Sequence, residues 1–578
     1  MIVDTLSGPV RGREHDGVVE FLGIPYARAA RFAPPSAPEP WSTPRDATRH
    51  GPVAPQLRAR LTAVVGASPE EGLVQGEDCL RVDVRAPAGP APGGALRPVL
   101  VWVHGGAYVI GSGATAWYDT ARLVREGDVV TVNVGYRLGV LGWLRLPGVS
   151  PGNLGLLDVL AALRWVRENV RAFGGDPERV TAAGQSAGAH TIASLLTVAD
   201  ARPLIGRAVL QSGQLGLGFC TERRAARVAR FVVDGLDGAD PTTASLEALL
   251  RAQKHAMIEA AGPGGMNSSP AFAPVAGVAP LAPGASWADT AASGRDLIVG
   301  STRDEATTFV AISPGLDRLR RTRVLGRTVD AGARVATRRI FTDPALRLAD
   351  DAARAGAQVR SYSFDWHAPR SGLGACHCIE LPFLFGTKQA WRDAPMLAGA
   401  SWDDEIAPLG DTVRAAWLAF VRGDEPARAG ALEWPAHVPG AGPGIRFDGA
   451  GPPRPGRTPD GTGTLGASVR RRKPMALMRR VATLGAVIAA VRSYARQNPE
   501  KVNRYADRAA EFVNTKTAGK YRRQVEGALR QVRKETTVPG RPTMPGAGAG
   551  GTYRAPNPQT PNDRNQGGYY PSSRADRP

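Results

Sequence analysis

Gly184-Gln185-Ser186-Ala187-Gly188 places a serine between two small residues, directly after the strand-like run Arg179–Ala183 and before a helical run, Ala189–Leu196. A strand, a sharp turn and a helix in that order lift the turn's side chain to the top of a sheet, so Ser186 reads as a nucleophile. Positions 184 and 188 are glycine because the backbone reverses so tightly that side chains there would meet the neighbouring strand and helix. His104-Gly105-Gly106-Ala107 follows a second apolar run, Val99–Val103. Consecutive glycines let backbone N–H groups converge on one point, as the negative oxygen of a tetrahedral intermediate requires. With the amide that follows the nucleophile, the candidate donors are Gly105, Gly106 and Ala187. These are parts for acyl transfer to a serine hydroxyl.

A hydroxyl attacks only when a base removes its proton, and that base needs an acid to orient it. In this setting they follow in the order serine, acid, histidine. The strand-like run Asp296–Gly300 leads into Ser301-Thr302-Arg303-Asp304-Glu305, which makes Glu305 the candidate acid, with Asp304 beside it as the alternative. Beyond it lie His367, His377 and His437. His377 sits in a turn-like stretch before an apolar run, whereas the other two stand in ordinary loops, so position favours His377 and leaves the others open. His104 reads as a support for the glycine turn, and His190, one helical turn past Ser186 with no acid between them, breaks the required order.

Other chemistries find little footing. Cys376-His377-Cys378 are adjacent ligands that cannot close a tetrahedral metal site without distant partners, and no C-x-x-C or H-E-x-x-H occurs. No G-x-x-x-x-G-K-[ST] occurs either, so neither a metal nor a nucleotide or other cofactor is expected.

The elements that must position these residues form a clear alternation. Pro98–Val103, Asp128–Val134, Arg179–Ala183, Arg207–Gln211 and Asp296–Gly300 are short and apolar or β-branched, each followed by a Gly-rich turn or a helical pattern. Leu156–Phe173 repeats its apolar residues at three- and four-residue spacing. The order implies βαβ units and a mostly parallel sheet covered by helices, an α/β fold. With 578 residues, 43% of them hydrophobic and 22% charged, the chain can bury a sizeable core, which excludes a wholly disordered or disulfide-scaffold protein.

Charge divides the chain. Residues 1–453 carry 47 Lys+Arg against 45 Asp+Glu, whereas the remainder carries 25 against 8, so most of the net +19 belongs to an appendage. The expected organisation is a catalytic domain at 1–453, a Gly/Pro/Arg-rich linker at 454–474, a basic helical extension at 475–537 and a disordered tail at 538–578. Helical patterns fall at Met475–Arg496, Glu500–Asn514 and Lys520–Lys534. The extension could serve an anionic partner: nucleic acid, an acidic protein or a membrane surface. The apolar run Val481–Val491 is too short to span a bilayer, which takes about 20 apolar residues. Met1-Ile2-Val3-Asp4-Thr5 shows no signal-peptide pattern, so a cytoplasmic location is expected.

Phe21-Leu22-Gly23-Ile24-Pro25-Tyr26-Ala27, Arg31-Phe32, Glu77-Asp78-Cys79-Leu80, the His104 turn, Asn153-Leu154-Gly155-Leu156-Leu157-Asp158, Phe173-Gly174-Gly175-Asp176-Pro177, the Ser186 turn, Gln211-Ser212-Gly213, Asp304-Glu305 and His377–Phe383 occur in the order found in type-B carboxylesterases. The resemblance covers roughly residues 1–450. It implies an α/β-hydrolase fold, a Ser186-Glu305-His377 triad, an oxyanion hole of Gly105, Gly106 and Ala187, a supporting Ser212 near the triad, a structural pair of Glu77 with Arg31, and hydrolysis of carboxylic esters through an acyl-enzyme. The same family contains neuroligins, so the alternatives are a non-catalytic interaction protein, or an esterase fused to a basic binding module. Retention of Ser186 favours the enzyme. Gln185 stands where cholinesterases carry an acid, and no tryptophan lies between Arg58 and Asp78 to stack on a cation, which argues against a choline ester. Cys79 matches a cysteine that is disulfide-bonded in secreted relatives, yet no cysteine precedes it. Ala306 replaces the usual glycine after the acid, and the interval from Glu305 to His377 is shorter than is usual. Residues 500–535 resemble small bacterial antitoxin-like helical proteins.

Overall fold

The valine-rich runs become the interior strands of an eleven-stranded sheet. In chain order its strands are β1 (Arg13–His15), β2 (Val18–Pro25), β3 (Arg81–Pro87), β4 (Arg97–Val103), β5 (Val130–Val134), β6 (Gly175–Gln185), β7 (Arg207–Gln211), β8 (Asp296–Thr302), β9 (Val359–Phe364), β10 (Ile445–Phe447) and β11 (Arg454–Pro455). The structure, a computed structural model, describes residues 1–449 except 59–60, 67–71, 263–268, 323–324, 425–431 and 433, together with 454–455 and residue 526. Across the sheet the order is β11-β10-β9-β8-β7-β6-β4-β5-β3-β2-β1. The seven strands from β10 to β5 are mutually parallel, and the strands beyond each end pair antiparallel.

Every residue of β4 and β5 is buried. That burial is a consequence of the topology: parallel neighbours must be joined by crossovers, and the crossover helices cover both faces. Side chains alternate between the faces, so Val99, Val101 and Val103 pack into one apolar cluster while Leu100 and Trp102 pack into the other. Helix α1 (Leu154–Asn169) leads from β5 toward β6, and a single 3-10 turn, Val170–Phe173, finishes the run expected as one helix. Gly174, at φ 80°, ends it. Helix α2 (Ala187–Leu196) starts on the residue after Ser186 and is buried throughout.

Between β8 and β9 the chain forms α3 (Ala306–Ala311), α4 (Leu325–Thr337) and the π-turn Arg338–Thr342. Residues 454–455, expected as the start of a linker, pair instead with β10 at the sheet edge. The chain divides into two units, Met1–Ala490 and Val491–Pro578, and the whole sheet belongs to the first. The helical patterns at 475–496, 500–514 and 520–534 and the tail at 538–578 lie outside the described residues, residue 526 apart. Among the described residues no helix is long and apolar enough to cross a membrane.

Candidate active site

Three segments that leave the C-terminal ends of parallel strands converge: the turn after β6 brings Ser186, the start of α3 after β8 brings Glu305, and the loop after β9 brings His377. This is the end of an open α/β sheet where crossovers leave a crevice. Ser186 sits at φ 56°, ψ −122°, a conformation that costs backbone energy and is held from both sides. Its N–H donates to the Gln211 carbonyl at 2.9 Å, and its own carbonyl accepts from the His190 N–H at 3.0 Å. A Cβ on Gly188 would lie 2.0 Å from the Val103 oxygen, and one on Gly184 would lie 2.7 Å from the Gly188 carbonyl carbon. Both clashes are with backbone, so glycine is required at both positions.

His377 Nε2 lies 2.8 Å from Ser186 Oγ, and its Nδ1 bonds Glu305 Oε2 on the other side of the ring. Glu305 is completely buried, and its second oxygen accepts the Thr302 N–H at 2.8 Å. Burial pulls the His377 imidazole down, but the Glu305 carboxylate more than offsets it, so the net direction is up. Asp304 faces the other way. Its carboxylate accepts the Ala375 N–H and pairs with Arg303, which braces the turn leading to His377.

A Cβ at Gly105 would lie 3.1 Å from the Ser186 Cβ, so the first glycine of the turn packs directly on that serine. Gly106, at φ 115°, passes so close to the Ile110 oxygen that a Cβ would lie 2.0 Å from it. Ala187 begins α2, whose positive end points toward the same space. His104 Nδ1 donates to the Gly105 carbonyl at 2.8 Å, and the His104 carbonyl accepts the Tyr136 hydroxyl at 2.9 Å.

Ser212 Oγ donates to Glu380 Oε1 at 2.8 Å. Glu380 is a buried carboxyl raised to about 7, first by burial and then by the Glu305 charge. The sequence alone assigns it no role, although its place three residues after His377 puts it in the same turn. Gln185, in sequence only a departure from an acid, holds its Nε2 3.4 Å from His377 Nε2. Phe309 and Phe341 also go unmarked in the sequence. Their ring centroids lie 5.5 and 5.4 Å from that of His377. Phe309 stands four residues after Glu305, and that spacing puts acid and ring on one face of α3.

The other histidines have other occupations. His190 Nδ1 accepts the Tyr108 hydroxyl at 2.7 Å, and its Nε2 donates to the Gly218 carbonyl. His367 is exposed. His437 lies between Ser361 and Asp350, each at 2.7 Å, which imitates a triad, but Ser361 is wholly buried and accepts the Gly444 N–H. Arg31 Nε donates to both Glu77 oxygens at 3.0 and 3.1 Å. Cys79, Cys220, Cys376 and Cys378 are buried free thiols, and burial pushes Cys376 up to about 12. Among the described residues no cluster of His, Cys, Asp and Glu is arranged to hold a metal.

A serine on a strained turn at the carboxyl edge of a parallel sheet, with its acid and histidine arriving from later strands, defines the α/β-hydrolase class. Within that class, residues 1–323 match the carboxylesterase family, and the chain belongs to it. A probable N-octanoylanthranilate hydrolase of Rhodococcus erythropolis is 45% identical over 75% of this chain and 94% of its own. The para-nitrobenzyl esterase of Bacillus subtilis is 35% identical over 75% of this chain and 92% of its own. A thermophilic PNB esterase of solved structure superposes with a TM-score of 0.68 at 32% identity, covering 79% of this chain and 98% of that one. Residues 490–536 match the MT0933-like antitoxin family. The protein is an enzyme, a carboxylic ester hydrolase.

Proposed function

We propose that hydrolysis proceeds through an acyl-enzyme on Ser186. His377 takes the hydroxyl proton as Ser186 Oγ attacks the ester carbonyl, and gives it to the leaving alcohol as the tetrahedral intermediate collapses. Water then attacks the acyl-enzyme by the same route. Glu305 keeps the ring's Nδ1 protonated and stabilises the imidazolium. The amides of Gly105, Gly106 and Ala187 receive the oxyanion, each for about 3–4 kcal/mol of transition-state stabilisation. Ser212 supports the site through Glu380. The observation that carries this reading is the buried relay from Ser186 Oγ through both nitrogens of His377 to a carboxylate sealed from solvent.

The test is covalent labelling followed by turnover. A fluorophosphonate should modify Ser186 alone, because only a hydroxyl beside a general base attacks such a reagent at neutral pH. Peptide mapping that finds the adduct elsewhere overturns the assignment. A panel of p-nitrophenyl esters of increasing acyl length, with N-octanoylanthranilate added because a relative is named for it, then defines the substrate, with Ser186→Ala as the inactive control. Four free thiols suit a reducing compartment, which supports a cytoplasmic location. The basic segment beyond residue 453 is proposed to serve an anionic partner.

A further inference from the structure

Around the His104 turn lies a pocket of about 20 Å³, partly open to solvent and lined among others by Arg81, Asp83, His104, Asn133 and Tyr136. Two buried atoms on residues of this lining have no hydrogen-bond partner among the described residues: His104 Nε2 and Asn133 Oδ1, on residues only 1% and 2% exposed. The chemistry of both atoms is fixed by what their other ends do. His104 Nδ1 faces the Gly105 carbonyl, which can only accept, so Nδ1 carries the proton. Burial holds this imidazole down at about 4, so at neutral pH it is uncharged and Nε2 presents a lone pair. The Asn133 amide nitrogen gives its two protons to the carbonyls of Gly113 and Tyr118, at 3.0 and 2.8 Å, so its oxygen is also a pure acceptor. Two neutral acceptors on residues that line one pocket call for a small neutral group with two protons to give.

We propose that this cavity binds one water molecule, which donates one hydrogen bond to His104 Nε2 and the other to Asn133 Oδ1, and that Asn133 thereby acts as a positioning residue for the oxyanion hole. The volume suits the occupant, since a single water needs roughly 10–15 Å³ of such space. The consequence for chemistry runs through one peptide plane. In a trans peptide the C=O and the next N–H point in opposite directions, so a Gly105 carbonyl pinned by His104 also fixes the direction of the Gly106 N–H. Tyr136, stacked on the His104 ring at 4.4 Å, and its hydroxyl bond to the His104 carbonyl hold the imidazole on two sides. The water holds it at the third and ties the turn to β5, a strand buried along its whole length. A donor amide fixed in advance does not have to reorganise when charge develops on the substrate oxygen.

This inference rests on the acyl-enzyme reading, and its test separates the two. A crystal structure of the whole enzyme at a resolution that shows ordered solvent should reveal one molecule within hydrogen-bond distance of both His104 Nε2 and Asn133 Oδ1. Density bonded to neither atom, or a cation there, overturns the proposal. In solution, active sites are counted by fluorophosphonate titration, so unfolded protein does not enter the rates. Per titrated site, Asn133→Val should lower kcat about tenfold with KM within threefold, and should weaken a trifluoromethyl ketone, which binds as an oxyanion adduct, by the same factor as kcat/KM. Asn133→Ser, whose hydroxyl can accept and which leaves room for solvent, should recover most of both. A kcat and ketone affinity per site that Asn133→Val leaves unchanged would show a packing residue and overturn the proposal, whereas a failure of Ser186 to titrate at all would count against the acyl-enzyme instead.

Discussion

Asp304 and Glu305 are adjacent carboxylates, and only the turn of the backbone into α3 separates their roles: one braces the loop before His377, the other is buried against the ring. Glu305→Gln should therefore lower kcat by roughly a thousandfold or more while leaving KM nearly unchanged, whereas Asp304→Asn should act mainly on stability. The pH dependence has a definite sign. The base must be neutral to act, so kcat/KM rises as pH climbs through the His377 value, which the Glu305 charge raises. Removing that charge leaves burial opposed chiefly by the more weakly acting Glu380, and the rising limb of the Glu305→Gln profile should move to lower pH. Glu380 is raised from an ordinary 4.5 to about 7, so its ionisation is opposed by the fold. Stability contributed in this way is fully present below the unfolded value and is lost as pH rises from about 4.5 through about 7. Melting temperatures measured across that window should fall more for the native enzyme than for Glu380→Gln.

At the scale of elements, Ser186 is presented by the close approach of α2 to β4, and Gly188 sets that distance. Gly188→Ala puts a methyl 2.0 Å from the Val103 oxygen, so helix and strand must separate. We expect about 1–3 kcal/mol of destabilisation and a slower fluorophosphonate reaction, because the displaced helix carries the amide after Ser186 with it. Gly315→Ala, where a Cβ meets nothing within 4 Å inside a helix, is the matched control and should leave the labelling rate unchanged without lowering the thermal midpoint. The alternation of apolar runs was enough to locate β4, β7 and the start of β8, since buried parallel strands are apolar on both faces. It did not reveal that β6 begins at Gly175 or that Arg454–Pro455 completes the sheet edge, because Asp176, Pro177 and Glu178 in the first, and Arg454 and Pro455 in the second, carry little strand preference of their own and pair only when a neighbouring strand is present.

For the molecule as a whole, every residue assigned a part in the proposed mechanism lies between His104 and Glu380, and among the described residues the last strand of the sheet ends at Pro455. Ending the chain after residue 456 should leave ester hydrolysis close to that of the full chain, measured as turnover per titrated serine. It should also weaken retention on a heparin column and flatten the salt dependence of that retention, because 24 of the 72 Lys and Arg lie beyond residue 456. At 0.1 M salt such charges act over about 10 Å. Loss of folding in the shortened chain would instead show that residues after 456 complete the hydrolase.

What could be read from the residues in order was what depends on local backbone: a serine that needs glycines beside it, paired glycines at a strand end, and an acid just past another strand. These requirements are met within a few residues, so they leave a mark in the sequence. Which of three later histidines faces Ser186, which of two neighbouring acids turns inward, and that Ser361 is sealed inside a false triad were decided only by packing between segments dozens to hundreds of residues apart. The same holds for Glu380, Phe309, Phe341 and Asn133. Each is an ordinary residue in an ordinary strand, helix or turn, and only the folded chain brings it to the surroundings of Ser186, His377 or His104.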